Sequence, residues 1–87
     1  MRQINIEEEI ERDLATVLQS RPKGKLYLRV NPFIEAYYKI GFPNRIIKWY
    51  FKYQRWIRVV ADKEYTINQF KFFDDNNDEI RTNNPDK

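Results

Sequence analysis

The chain has 87 residues, a net charge of +3, 16% aromatic residues, and neither cysteine nor histidine. The missing cysteine excludes disulfides and thiolate metal sites, and the missing histidine removes the commonest metal ligand and the usual general base. No apolar run approaches the roughly 20 residues of a membrane span, and the acidic N-terminus is unlike a signal peptide, so we expect a cytoplasmic protein.

The first predicted element is a helix from Ile4 to Gln19, because its apolar residues recur at helical spacing. These residues are Ile6, Ile10, Leu14, Val17 and Leu18. Asn5 is a typical helix cap, and the acids that follow it suit the positive end of the helix dipole. After a Pro-Gly loop, residues 25–30 alternate between apolar and polar, which predicts a strand with one buried face.

The segment 31–58 organises the rest of the chain, since it holds both tryptophans and six bases against one acid. Asn31 and Pro32 predict a helix start, and Gly41 with Pro43 predicts its end. We expect its inner stripe to be Phe33, Ile34, Tyr37 and Ile40. A third helix is predicted from Arg45 to about Gln54, and the aromatic side chains of both helices are interpreted mainly as core.

The C-terminal part predicts strands at 56–61 and 65–73, with the second antiparallel to the first. Residues 74–78 predict a turn, residues 79–81 a short edge strand, and residues 82–87 a disordered tail. The element order is α-β-α-α-β-β, with a further strand at the end. We therefore predict one α+β domain over residues 1–81, with a small, mostly antiparallel sheet and helices packed on one face.

The charge is unevenly distributed, because residues 21–58 carry ten bases and a single acid, Glu35. Bases at helical spacing predict a cationic stripe along the third helix. The predicted RNA-binding residues are Arg45, Lys48, Lys52, Arg55 and Arg58. A phosphate backbone is the natural partner of such a stripe, and an ordinary solvated surface is the alternative interpretation.

No catalytic residue and no metal-ligand set is predicted. Residues 74–78 imitate the start of a calcium-binding loop, but Glu79 stands where that loop needs glycine. The loop 41–44 between two helices suggests a KH-like module, yet it lacks the second glycine of the GXXG clamp, and Pro43 has no amide to donate.

A set of motifs in order carries a resemblance. They are an I-x-x-x-I-E-x-x-L helix from Ile6 to Leu14, a strand running into Asn31-Pro32-Phe33, the pair Ala36-Tyr37, the helix break at Gly41, a Lys-Trp-x-x-Lys-Tyr run that includes Trp49 and Tyr53, and a closing hairpin from Phe70 to Ile80. From Glu7 to Ile80 the chain resembles the C-terminal small domain of the ribonuclease E/G family, in its Bacteroidetes-type ribonuclease G form. Asn31 stands where that family usually has histidine, and either residue can cap a helix.

The resemblance implies a place in a magnesium-dependent endoribonuclease, a hydrolase that cuts single-stranded RNA and matures ribosomal RNA. In that family the catalytic aspartates, the RNA-binding barrel and the zinc-linking Cys-Pro-x-Cys-x-Gly segment lie upstream of this region, so magnesium and zinc are implied only there. For this chain the resemblance implies no catalysis and no cofactor of its own. It implies an accessory role, in which the chain assembles with the rest of the nuclease or another subunit and contacts RNA weakly.

Two other functions remain open at this point. The chain could be a stand-alone nucleic-acid-binding module that uses its basic helix, or a purely structural interaction domain. Neither a membrane nor a small-molecule substrate is expected as a partner.

Overall fold

The structure is a computed structural model that describes residues 5–82. Its elements are α1 (Ile6–Ser20), β1 (Leu26–Val30), α2 (Pro32–Tyr38), α3 (Arg45–Tyr53), β2 (Ile57–Ala61), β3 (Phe70–Phe73) and β4 (Glu79–Ile80). The α+β class and the order of elements are confirmed. The predicted start of the first helix at Ile4 lies outside the described residues, as does the predicted tail apart from Thr82.

Helix α1 forms where the apolar spacing predicts it. The Asn5 side chain accepts hydrogen bonds from the backbone amides of Glu7 and Glu8, which satisfies two of the donors that a helix start leaves free. Its buried apolar residues are Ile10, Leu14 and Val17, and Ile6 and Leu18 pack against the same core. The predicted stripe is therefore confirmed residue by residue.

The four strands form one mixed sheet in the order β2-β1-β3-β4. Strand β1 is parallel to β2, with Leu26 beside Ile57, and antiparallel to β3, with Leu28 beside Phe72. Strand β3 therefore runs antiparallel to β2, as predicted, but the two strands are not hydrogen-bonded to each other. The α2–α3 crossover returns β2 parallel to β1 on one side, so β3 pairs with the other edge of β1.

The third strand is also shorter than predicted, because only Phe70–Phe73 is extended and paired. Residues 65–69 form turns, in which Tyr65 donates to the carbonyl of Asp62 and Gln69 to that of Thr66. The predicted turn at 74–78 is confirmed. The Asp74 carboxylate accepts from the amides of Asn76 (2.9 Å) and Asp78 (3.0 Å), which explains the acidic cluster without a bound ion.

The sheet buries one face against the helices. The inward residues of the strands form this side of the core: Leu26, Leu28, Val30, Ile57, Val59, Phe70, Phe72 and Ile80. The alternate residues point to the opposite face, which we call the open face: Tyr27, Arg29, Arg58, Val60, Lys71 and Phe73. All six are half-buried or exposed, so the alternation predicted for β1 is confirmed, and β2 alternates in the same way.

Helix α2 is turned differently from the prediction. Its buried residues are Ile34 and Tyr38, whereas Phe33 is 78% exposed and Ile40 is 69% exposed. The predicted inner stripe is therefore wrong for Phe33, Tyr37 and Ile40 and correct for Ile34. Because apolar side chains occur on both sides of this two-turn helix, periodicity alone could not choose the buried side.

The start of α2 follows the predicted signals, whereas its end comes at Tyr38, before the predicted stop at Gly41. The Asn31 carboxamide accepts from the amide of Phe33 (2.8 Å) and donates to the carbonyl of Tyr65 (2.8 Å), so it caps the helix and fastens the β2–β3 loop. Pro32 occupies the first turn, where its missing amide costs nothing. Gly41 has a φ of +83°, a left-handed conformation that glycine adopts without strain.

Candidate nucleic-acid interface

Arg45, the first predicted RNA-binding residue, is engaged in contacts between helices. Its guanidinium donates to Glu7 at 2.9 Å and to Glu11 at 3.1 Å, and it lies 5.1 Å from the centre of the Tyr38 ring. Trp49 adds a third contact, since its indole nitrogen donates to Glu11 at 2.7 Å. This cluster joins α1, α2 and α3, and Arg45 is one of its structural members.

The electrostatics of the cluster keep Arg45 charged. Partial burial acts to lower the pKa of Arg45, but the hydrogen bond to Glu7 and the nearby Glu11 carboxylate outweigh it and raise that pKa. The acids of α1 therefore have a definite structural role. Local sequence gives no sign of this pairing, because the partners are 34 and 38 residues apart.

The side chain of Arg55 is also occupied, because it is hydrogen-bonded to backbone carbonyl groups. Its guanidinium donates to the carbonyl oxygens of Arg21 (2.8 Å) and Gly24 (2.6 Å). These contacts fix the loop between α1 and β1 to the end of α3. Hydrogen bonds from a charged donor are stronger than neutral ones, so the guanidinium is an anchor for this loop.

Lys48 and Lys52 fit the predicted cationic stripe. Both are exposed on one flank of α3, four residues apart, and neither forms an ion pair with any residue from 5 to 82. The Lys52 ammonium lies 5.2 Å from the centre of the Tyr53 ring. Their charges are available to an anion in solution.

Arg58 lies on the open face of β2, in register with Tyr27 of β1, and its side chain is exposed. The five predicted residues therefore do not form one continuous cationic stripe. The structure keeps Lys48 and Lys52 together, places Arg58 on the sheet, and uses Arg45 and Arg55 in internal contacts.

Sequence reasoning missed an exposed aromatic group at the end of α3. Trp56 stacks on Tyr50, with ring centres 4.3 Å apart and planes inclined by 19°. Phe51 meets Tyr50 edge-on, and Trp56 and Phe51 are 58% and 68% exposed. We call Tyr50, Phe51 and Trp56 the aromatic cluster. The signal was present in the sequence, because Phe51 lies directly opposite the inward Trp49 and Tyr53 on a helical projection.

A second exposed surface is apolar and lies on α2. Phe33 and Tyr37 point outward from the helix, Ile40 follows its last turn, and Phe42 is 90% exposed in the loop before α3. We call these four residues the α2 apolar surface. Exposed apolar groups of this kind mark interaction sites more often than isolated exposed side chains do.

The family-motif residues divide between the core and this surface. Asn31 and Pro32 set the start of α2, Gly41 lies in the loop after it, Trp49 is buried and Tyr53 packs against the core. Phe33 instead belongs to the exposed surface.

No family model, curated protein or solved structure gives a significant match to this chain. The likeness to ribonuclease E/G therefore stays a prediction from the motifs.

The open face carries a cleft of about 330 Å³ beside the turn after β3. It is lined by Tyr27, Arg29, Val60, Phe73, Asp74, Asp75 and Asn77. Arg29 already fills part of it, since its guanidinium stacks 4.8 Å from the Phe73 ring centre and lies 3.7 Å from Asp62. Arg29 and Asp74, two of its charged groups, therefore already have partners within the chain.

Two features are absent from residues 5–82. No helix in this range is both long and apolar enough to cross a membrane. The same residues contain no group of three or more acidic, histidine or cysteine side chains placed to hold a metal ion.

Proposed function

We propose that this chain is a non-catalytic accessory domain of a ribonuclease G-like endoribonuclease that works in RNA processing in the cytoplasm. Its contribution is assembly, because the α2 apolar surface packs against the body of the nuclease. The observation that carries the proposal is the exposure of Phe33, Tyr37, Ile40 and Phe42 on and just after one short helix.

The energetics of that surface favour a protein partner. Full burial of one large apolar side chain stabilises a contact by roughly 1.5–3 kcal/mol, and aromatic anchors dominate many interfaces. Helix α2 already satisfies the core through Ile34 and Tyr38, so its outward apolar residues have no role in the core of the domain. Their presence is explained if another protein surface covers them.

The positions of the motif residues also support the proposal. Asn31 takes the capping position expected for the family's histidine, and Gly41 has a left-handed conformation in the loop that follows α2. Asn77 has a φ of +64° in the final turn, where asparagine tolerates the left-handed backbone. Asn31 and Trp49, two of the residues that carry the resemblance, therefore lie at positions that define the fold, whereas Phe33 lies on the α2 apolar surface, where a shared partner would contact it.

The test begins with the reading frame that contains or precedes this chain. We expect a nuclease segment there with paired aspartates and a Cys-Pro-x-Cys-x-Gly link. That segment, produced separately, should bind the 87-residue chain in isothermal titration calorimetry. The variant Phe33→Ser/Ile40→Ser should weaken this binding by at least about tenfold, since it removes two apolar anchors.

Phe51→Ser is the matched control, because Phe51 is an exposed apolar residue of the aromatic cluster on α3 and is not part of the α2 apolar surface. It should bind as the unchanged chain does. A reading frame without the aspartate pair, or equal binding by the double variant and the control, would contradict the proposal.

A further inference from the structure

We propose that the aromatic cluster, together with Lys48, Lys52 and Arg58, is a binding site for single-stranded RNA. The choice of RNA rests on the proposed function, whereas the site itself rests on the geometry of α3 and the start of β2. The bases of the strand stack on Trp56 and Phe51, and its phosphates lie against the three cations.

The aromatic half of the site is exposed and already organised. One face of the Trp56 ring covers Tyr50 at 4.3 Å, and 58% of the residue stays accessible to solvent. Phe51 extends the cluster along α3 and is 68% exposed. A base gains roughly 1–3 kcal/mol by stacking on such a ring, and any base can do so because each has a π-face.

The cationic half has charges that the fold leaves uncompensated. Lys48 and Lys52 lie to one side of Phe51 on α3, and Arg58 follows Trp56, the residue just before β2, by two positions. None of the three has a carboxylate partner within the described range, unlike Arg45, which has two. Phosphate groups can therefore bind them without first displacing a protein anion.

The loop before β1 brings further positive charge to the same place. In the parallel register Leu26 lies beside Ile57, so the preceding residues Lys25 and Trp56 lie at the same end of the strand pair. Lys25 is exposed there. Basic residues therefore occur on both elements next to the stacked rings, with Lys48 and Lys52 on α3 and Lys25 and Arg58 on the sheet side.

This combination favours a single strand over a duplex and over a protein partner. A duplex hides the faces of its bases, so it can use the cations but not the rings. A protein partner would use the rings, but it would need several carboxylates to compensate the lysines and arginines. A single strand presents flat apolar groups and regularly spaced negative charges together.

The binding test uses the 87-residue chain and a fluorescein-labelled oligoadenylate RNA of about 12 nucleotides, within the range of single-strand sites. We expect saturable binding by fluorescence anisotropy in about 50 mM salt. Trp56→Ala should raise the Kd at least about fivefold, and Trp56→Phe should restore part of the affinity. Phe51→Ala gives a second variant, because its exposed ring contacts only Tyr50 among the ring contacts of residues 5–82.

Two controls isolate the contribution of the site. Phe33→Ala removes an equally exposed ring from the α2 apolar surface and should leave the Kd within about twofold. Lys63→Ala removes an exposed cation beyond the far end of β2 and should leave the salt dependence unchanged.

The double variant Lys48→Ala/Lys52→Ala should reduce the slope of log K against log salt by about 1.4, or about 0.7 for each phosphate contact.

Three results would overturn the inference. They are an absence of binding at low salt, equal affinity for an RNA duplex of about 12 base pairs, and an unchanged Kd in both Trp56→Ala and Phe51→Ala. Each of these leaves the association through α2 intact, so failure of the RNA site is distinguishable from failure of the proposed function. Conversely, a chain that binds the oligonucleotide but no nuclease segment would contradict only the assembly role.

Discussion

Tyr38 is a fully buried core residue whose hydroxyl has no hydrogen-bond partner among residues 5–82. Its side chain is completely buried, its ring meets Trp49 edge-on at 5.3 Å, and the Arg45 guanidinium lies over its face. None of residues 5–82 offers a hydrogen-bond partner to its hydroxyl. Burial of an unpaired hydroxyl costs stability, while the ring contributes apolar contacts.

Tyr38→Phe should therefore stabilise the domain, by about 1 kcal/mol, because it keeps the ring and removes the hydroxyl. Urea denaturation followed by circular dichroism would measure the change in the free energy of unfolding. Tyr37→Phe is the control, since Tyr37 is an exposed neighbour on the same helix, and its substitution should have little effect. A Tyr38→Phe variant less stable than the unchanged chain would indicate that the hydroxyl has a favourable contact in solution.

The same hydroxyl should make the domain sensitive to alkali. Burial raises the pKa of Tyr38 above its ordinary value of about 10; Arg45 opposes this effect, and Glu7 and Glu11 add to it. The folded state thus holds the proton more tightly than the unfolded state. Ionisation of Tyr38 therefore leaves the free energy of unfolding unchanged below about pH 10 and lowers it as the pH rises further, because the unfolded tyrosine ionises first.

Relative to Tyr38→Phe, the unchanged chain should lose about 1 kcal/mol more of its unfolding free energy between about pH 9 and pH 11. Paired urea titrations of the two proteins across this range would measure the difference, and the other tyrosines and lysines cancel in the comparison. Parallel pH dependences would show that Tyr38 is ionised equally easily in both states.

At the scale of elements, the sequence predicts best where one pattern has one explanation. Helix α1 has a single apolar stripe and one strong cap, so its core residues could be named in advance. Helix α2 has apolar residues on both sides, and the choice between them depends on how the crossover from β1 to β2 places the helix over the sheet. The pairing of β3 with β1 is equally non-local, because an alternating strand is compatible with either neighbour.

The same difference between local pattern and tertiary contact applies to the residues of the candidate site. The exposure of Lys48 and Lys52 follows from the helical spacing of α3, and the outward position of Arg58 follows from the alternation of β2. The engagement of Arg45 and Arg55 could not be predicted, since their partners are 31 to 38 residues away. Local spacing determines which way a side chain points, but only the tertiary fold determines what it meets.

The contact between α1 and α3 should depend on Arg45. Arg45→Met keeps a long apolar stem but removes the hydrogen bonds to Glu7 and Glu11, leaving two half-buried carboxylates without their cation. We expect a loss of about 1–2 kcal/mol in the free energy of unfolding, measured by urea denaturation. Lys48→Met on the same helix is the matched control, because Lys48 has no such partner. Equal effects of the two substitutions would show that the cluster adds no stability.

At the scale of the whole molecule, the two exposed surfaces lie at different ends of the sheet. Phe33 comes just after the end of β1, whereas Trp56 comes just before the start of β2, and these two strands are parallel. Each strand has five residues, so its length of roughly 17 Å separates the two positions. The domain can therefore hold a protein through one surface and a strand of RNA through the other.

This separation predicts that the two surfaces act independently. Phe33→Ser should weaken binding to the nuclease segment at least about fivefold and leave the oligonucleotide Kd unchanged, because one exposed aromatic anchor is lost. Trp56→Ala should have the reverse effects. In the double variant the free-energy changes should add within about 0.3–0.5 kcal/mol, as they do for sites without shared contacts. Titration calorimetry and anisotropy on the four proteins would test this. If Phe33→Ser weakened RNA binding as strongly as Trp56→Ala does, the two surfaces would be parts of a single site.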